Sequence, residues 1–140
     1  MIIIERTTRD DIKAFNKKEW HGVDIEHYGK PVEWNDQDFI FKATENGQII
    51  GTITGKFQSG VLYIDSVIIA KVKRGLGIGK KLTEKAEDFG KELKAHKAHL
   101  ITGRDWEAAK FYETLGYVKI ADLQNHHFRK DFVIYEKTLE

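Results

Sequence analysis

Apolar residues open the chain as a β-branched run, Ile2, Ile3 and Ile4, which predicts a first strand. Thr8 then stands three residues before Asp11, a cap-like start for a helix carrying Ile12 and Phe15. Residues 20–34 lose any period, and Gly22, Gly29 and Pro31 interrupt them. Regular alternation returns with Phe39, Ile40 and Phe41. Asn46 and Gly47 follow, a dipeptide that favours a tight hairpin because both positions tolerate positive φ. Residues 48–57 read as the return strand. Ser59 and Gly60 turn the chain again, and residues 61–69 complete a meander.

The second half changes period. Ile78, Leu82, Ala86, Phe89 and Leu93 recur at helical spacing over residues 77–93. Residues 98–102 form a short strand. Asp105 is placed to cap a helix over 106–115, which Gly116 ends as a left-handed stop. Residues 117–121 and 132–137 read as two last strands, joined by a polar stretch with His126 and His127. Strands that precede and alternate with helices predict an α/β or α+β fold around one mixed sheet. No repeat or linker divides residues 1–140, so a single domain is expected.

Composition narrows the partners. Lys and Arg number 23 against 22 Asp and Glu, so there is no global pull toward nucleic acid or an acidic membrane. The chain has no cysteine, which excludes disulfides, thiolate metal sites and a cysteine-borne acyl intermediate. The opening apolar run is too short for a signal or a membrane span. These features predict a soluble cytoplasmic protein. The six histidines lack a His-Glu-x-x-His pattern or a carboxylate triad, so no metal site is expected.

The sharpest chemical signal is Arg74-Gly75-Leu76-Gly77-Ile78-Gly79-Lys80, between a buried-looking strand and an amphipathic helix. Glycines let the backbone approach a ligand, and the first turn of a helix offers unpaired amides to an anion. Arg74, Lys80 and Lys81 add positive charge, so a phosphate-bearing ligand fits. A Walker loop fails, because only three residues separate Gly75 from Gly79 and Lys81 replaces the hydroxyl. The Rossmann spacing fails too. The plain structural reading is a strand-to-helix loop with a solvated basic face.

The loop resembles the acyl-CoA loop of the GNAT N-acetyltransferase superfamily, Arg/Gln-x-x-Gly-x-Gly/Ala, through Arg74, Gly77 and Gly79. A second resemblance lies in Asp105-x-x-Ala108-x-x-Phe111-Tyr112 followed by Gly116-Tyr117, where the family pattern begins with Asn. The likeness covers residues 39–140 well and the first forty loosely. It implies a GNAT-like fold, with a mixed sheet of about six to seven strands flanked by about four helices. It also implies acetyl-CoA as co-substrate. Backbone groups of Val67, Ile68 and Ile69 would pair with the pantetheine arm like an added strand. Arg74, Gly75, Leu76, Gly77, Ile78, Gly79 and Lys80 would hold the pyrophosphate. Asp105 would contact the coenzyme, although an ionised aspartate cannot donate as the family's Asn does.

The resemblance further implies acetyl transfer to a primary amine by direct attack in a ternary complex. Tyr112 matches the family tyrosine whose hydroxyl lies near the sulfur and would protonate the leaving thiolate. A tyrosine packed on an amphipathic helix is the plain alternative. Asp65 is the candidate base. A carboxylate is a weak base for an ammonium, so it would act through water, after desolvation, or by holding a cationic substrate. Tyr63 stands where other members carry a base, and alternation puts Tyr63, Asp65 and Val67 on one face unless a bulge intervenes. Leu100 occupies the base position of the branch that acetylates protein N-termini, which argues against that branch. The amide near Ile69 would take the oxyanion role.

For the acceptor, Trp20, Asp24, Glu26 and Tyr63 combine aromatic and acidic groups suited to an amine, although large aromatics also anchor cores. Two other classes stay open. One is a non-catalytic acyl-CoA-binding or sensing module. The other is a nucleic-acid binder using Lys71, Lys73, Arg74, Lys80 and Lys81, which the near-neutral charge disfavours. A homodimer stays open, since dimers are common in the family.

Overall fold

Backbone hydrogen bonding in the computed structural model, which describes Met1–Glu140, builds three α-helices and a six-stranded sheet. The chain separates into two units, Met1–Trp34 and Asn35–Glu140.

The first unit is built on α1, Arg9–Tyr28. Thr8 caps it by accepting from the Asp11 N–H at 3.3 Å, and Asp10 and Asp11 meet the positive end of the helix dipole. The helix passes through Gly22 and stops at Gly29, whose φ of 73° ends it with an N–H to the Ile25 carbonyl. The stretch without a hydrophobic period is therefore helical to Tyr28. Two good caps outweigh one internal glycine, which costs only about 1 kcal/mol. The expected first strand is absent: Ile2, Ile3 and Ile4 have no regular structure. β-branched residues supply propensity, but a strand exists only where a neighbour pairs with its backbone. Asp24 is buried and accepts from Trp34 Nε1 at 3.2 Å.

The second unit is a sheet with α2, Ile78–Glu92, and α3, Glu107–Thr114, in its core. The strands are β1 Gln37–Glu45, β2 Gln48–Gln58, β3 Val61–Ile69, β4 Lys97–Gly103, β5 Val118–Leu123 and β6 Phe132–Thr138. Their order is β1-β2-β3-β4-β6-β5. Both early turns use left-handed pairs, Asn46 and Gly47 (φ 51° and 78°) and Ser59 and Gly60 (φ 52° and 89°), which match the twist of a hairpin. The α-helices number three rather than about four; short 3-10 turns at Lys71–Lys73 and His127–Arg129 fill the remaining connections. No helix is long and apolar enough to cross a membrane.

Leu62, Ile64, Ala98 and Leu100 pack with Leu82 and Ala86 of α2 and with Ala109 and Tyr112 of α3. One buried charge crosses this layer. Glu87 of α2 accepts from Tyr117 Oη at 2.7 Å and from Lys137 Nζ at 3.0 Å, so its desolvation is offset by a hydrogen bond and an ion pair. Burial, then the bond to Glu87, pushes the Tyr117 phenol far up.

Two irregularities shape the middle of the sheet. β3 and β4 form the parallel pair, and their register ends at Tyr63 with His99, although β3 runs on to Ile69 and β4 to Gly103. The strands part there. A bulge in β3 leaves Asp65 without a partner between Ile64, opposite Gly55, and Ser66, opposite Thr54. It shifts the alternation, so Val67 and Ile69 pack against the core that Leu62 and Ile64 join, whereas Tyr63 does not. The expected shared face of Tyr63, Asp65 and Val67 is thereby broken. Gly55 permits the bulge, since a Cβ there would collide with the Tyr63 carbonyl oxygen and the Phe39 ring.

Candidate functional site

The loop between β3 and α2 holds a run of unused donors. Gly75 and Gly77 are left-handed (φ 80° and 82°), and Gly77 is the N-cap of α2 without a side-chain cap bond. The helix's first bond runs from the Lys81 N–H to the Gly77 carbonyl at 3.2 Å. The amides of Gly75, Leu76, Gly77, Ile78, Gly79 and Lys80 donate to no group of the protein. Space beside the Cα atoms of Gly75 and Gly77 is open. Together with the α2 dipole these amides make an anion site. Lys73 is paired with Glu45 at 2.6 Å, and Arg74 Nε bonds the Ile69 carbonyl at 3.1 Å.

A cavity of about 470 Å³ adjoins this loop. Of the expected residues, Val67, Ile68, Ile69, Arg74, Gly75, Gly77, Ile78, Gly79, Lys80 and Tyr112 line it. Leu76 does not; its side chain is exposed and only its amide belongs to the donor run. As a helix cap Asp105 is a correction: the N-cap of α3 is Trp106. The Asp105 side chain is 87% exposed beside Arg104 and is not among the residues lining the cavity. Lys73, Glu107, Ala108 and Phe111 also line the cavity and were not expected. Helical spacing back from Tyr112 reaches Ala108, and back from Phe111 it reaches Glu107 and Ala108.

Backbone geometry along β3 adds to the site. The Ala70 N–H bonds the Ile50 carbonyl at 2.8 Å, so 50 and 70 form a hydrogen-bonded pair. By antiparallel alternation, the main-chain groups of Val67 and Ile69 turn away from β2, toward the gap that β4 leaves. Tyr112 is 6% exposed, and burial pushes its phenol up to about 12. Its hydroxyl has no protein partner, yet no partnerless side-chain atom is fully enclosed, so the hydroxyl reaches solvent by way of the cavity Tyr112 lines.

A second cavity, of about 500 Å³, lies where β3 and β4 part. Tyr63 and exposed Asp65 line it, with His99, Ile101, Trp106, His127 and Phe132. Trp106 and His127 each pack edge-on against Phe132, at 5.3 and 5.0 Å between centroids. His99 was missed by sequence, and its Nδ1 lies 3.1 Å from Glu136 Oε2. The same oxygen bonds Lys97 Nζ at 2.8 Å. Burial pushes the Glu136 carboxyl up, but the hydrogen bonds from Lys97 and His99 outweigh it and hold the group below its usual range. Trp20, Asp24 and Glu26 belong to α1 of the other unit; Asp24 is engaged by Trp34, and Trp20 and Glu26 are exposed.

The residues present fit a CoA-type ligand: open backbone donors for a diphosphate, a strand edge open at Val67 and at the Ile69 N–H, and apolar walls at Val67, Ile69 and Phe111 for an amide-bearing arm. Comparison with known proteins agrees. The acetyltransferase (GNAT) domain model matches residues 5–139. N-alpha-acetyltransferase 30 of Schizosaccharomyces pombe (strain 972 / ATCC 24843) is 35% identical over 96 residues, 64% of this chain and 64% of that protein. An acetyltransferase from Bacillus cereus ATCC 14579 shares the fold, with a TM-score of 0.78 at 21% identity over 98% of this chain and 97% of its own. A Bacillus anthracis str. Ames protein, provisionally named a streptothricin acetyltransferase, is solved in complex with acetyl coenzyme A. It matches with a TM-score of 0.67 and 28% identity over 72% of this chain and 62% of its own. The matches thus span just under two thirds of the first and last of these relatives.

Proposed function

The chain belongs to the GNAT acetyltransferase family, and we propose that residues 1–140 act as one domain moving an acetyl group from acetyl-CoA to a primary amine. The acceptor is the amine of a small molecule or peptide, attacking directly in a ternary complex. The observation that carries this reading is the unbroken run of unpaired amides from Gly75 to Lys80 at the N-terminus of α2.

Acetyl-CoA, when bound, supplies the thioester carbonyl and a thiolate leaving group. The chain does the rest. The amides of the loop hold the diphosphate, with Lys80 adding charge. The open edge of Val67, Ile68 and Ile69 orients the pantetheine arm, and the Ile69 N–H faces negative charge developing on the carbonyl oxygen. Tyr112 keeps its proton through neutral pH and delivers it to sulfur. Burial that holds the phenol neutral also disfavours a bare thiolate beside it, so the transfer is between groups destabilised alike.

Asp65, with Tyr63, draws a cationic amine to the second cavity. A solvent-facing carboxylate attracts an ammonium well and takes its proton badly. Within the first unit, exposed Trp20 and Glu26 carry aromatic and acidic groups of the kind that suits an amine. The cytoplasm is the compartment we assign, which a cysteine-free chain suits.

The test is calorimetry with CoA, together with thiol release from acetyl-CoA in the presence of aryl amines, polyamines, aminoglycosides and peptides. Likeness to an N-alpha-acetyltransferase puts peptide N-termini in the panel. Binding and turnover of a primary amine are expected. Binding with silence across the panel would instead favour a sensing module, and absence of binding would sink both.

A further inference from the structure

The second cavity holds a titratable couple that the transfer steps leave unused. His99 stands on β4, the last β4 residue in register with β3, and Glu136 is its cross-strand partner on β6. An ionised carboxylate only accepts, so the 3.1 Å contact with Glu136 Oε2 puts the hydrogen on His99 Nδ1. In the neutral ring Nε2 then keeps its lone pair. It has no protein partner, and no partnerless side-chain atom is enclosed, so it opens to the cavity that His99 lines. The Tyr63 ring stands against the imidazole at 5.2 Å and limits its rotation. Charged and titratable groups around the couple are Tyr63 and Asp65 of β3, Lys97 of β4, Glu136 of β6 and His127 of the β5–β6 connection.

We propose that His99 is the base that deprotonates the acceptor amine, that Glu136 is its positioning residue, and that the acceptor is an arylalkylamine seated against Trp106 and Phe132. This rests on the acetyl-transfer reading above. The ammonium first gives one proton to water by way of His99 Nε2, and the freed nitrogen lone pair bonds the acetyl carbon as the carbon–sulfur bond breaks. The nitrogen's second proton then passes to His99 Nε2, and the sulfur takes one from Tyr112. Water then returns the imidazolium and the phenolate to their starting forms. Asp65 attracts the ammonium, and His99 takes the proton.

Two readouts test this. The long-range ¹H–¹⁵N spectrum of the ligand-free protein, recorded at a pH where the ring is neutral and with His99 assigned by its loss in His99→Gln, is expected to show the hydrogen on Nδ1. A proton on Nε2 overturns the proposal whether or not an acceptor is known. In the second, phenethylamine is the acceptor. His99→Gln lowers kcat by about 100-fold and removes the rise of kcat with pH, leaving CoA affinity intact. Glu136→Gln lowers kcat about tenfold without raising KM for phenethylamine, and imidazole in the medium partly rescues His99→Ala. Wild-type kcat in His99→Gln with a preserved pH profile overturns the assignment. Wild-type failure with phenethylamine but turnover of another amine overturns the substrate class alone. Failure with every amine overturns the transfer reading itself.

Discussion

The two cavities are both lined by β3, at residues 67–69 and at residues 63–65, and are made of opposite materials. On the side of α2 and α3, the ligand-facing groups are main-chain amides of Gly75 to Lys80 and the turned-out edge of Val67 and Ile69. Across the gap they are side chains, an imidazole held by a carboxylate and a wall of aromatic rings. A backbone site depends on φ values and on the absence of Cβ atoms, so it reads one ligand and tolerates change in neighbouring side chains. A side-chain site is rebuilt by each substitution. On the proposed function, this division would fix the coenzyme and leave the acceptor free to vary.

The largest effect is expected where the two faces are exchanged. Gly55→Ala drives a methyl into the Tyr63 carbonyl and the Phe39 ring, and should cost about 3 kcal/mol, read by denaturant melts. A stable, unshifted Gly55→Ala protein would show that the bulge yields freely. Next, Tyr112→Phe should slow turnover about 100-fold with CoA affinity unchanged by calorimetry. Equal loss of binding would make Tyr112 a wall of the pocket instead.

Gly77→Ala, forcing a Cβ into the left-handed region, should weaken CoA about tenfold, whereas Lys80→Ala, which leaves every amide in place, should weaken it about threefold. The reverse ranking would mean that side-chain charge, not the backbone, grips the ligand. Asp65→Asn should raise KM for a cationic acceptor about threefold and spare CoA binding. A fall in kcat at constant KM would move Asp65 into the proton path. The last effect vanishes at neutral pH. Burial pushes Tyr112, and a hydrogen bond to Glu113 pushes Tyr135, from 10 up to about 12. Unfolded phenols lose their protons first, so stability is full below pH 10 and declines as pH rises through about 12. Melting temperature against pH should show that shoulder.

What was legible in sequence followed local rules. Asn46 with Gly47, and Ser59 with Gly60, declared their turns because left-handed φ is a property of single residues. The amphipathic period of α2 and the glycines ahead of it placed the donor loop. Non-local facts were not legible. Ile2 to Ile4 had the propensity of a strand but no partner. The bulge at Asp65 depends on Gly55 in a neighbouring strand. His99 and Glu136 lie far apart in sequence and meet only through the β4–β6 register. Asp105 had the chemistry of a cap, yet α3 begins one residue too late for it, after Trp106.

The early parting of β3 from β4 has a consequence for exchange with bulk solvent. A sheet normally exposes its outer rims alone to deuterium, and its central strands retain their protons longest. Here the middle of the sheet contains a seam, closed at Val61 to Tyr63 and open beyond. The Val67 and Ile69 amides along that seam should therefore label fast while Ile53 and Leu62 nearby stay dark, and they should slow down together when coenzyme zips the seam shut.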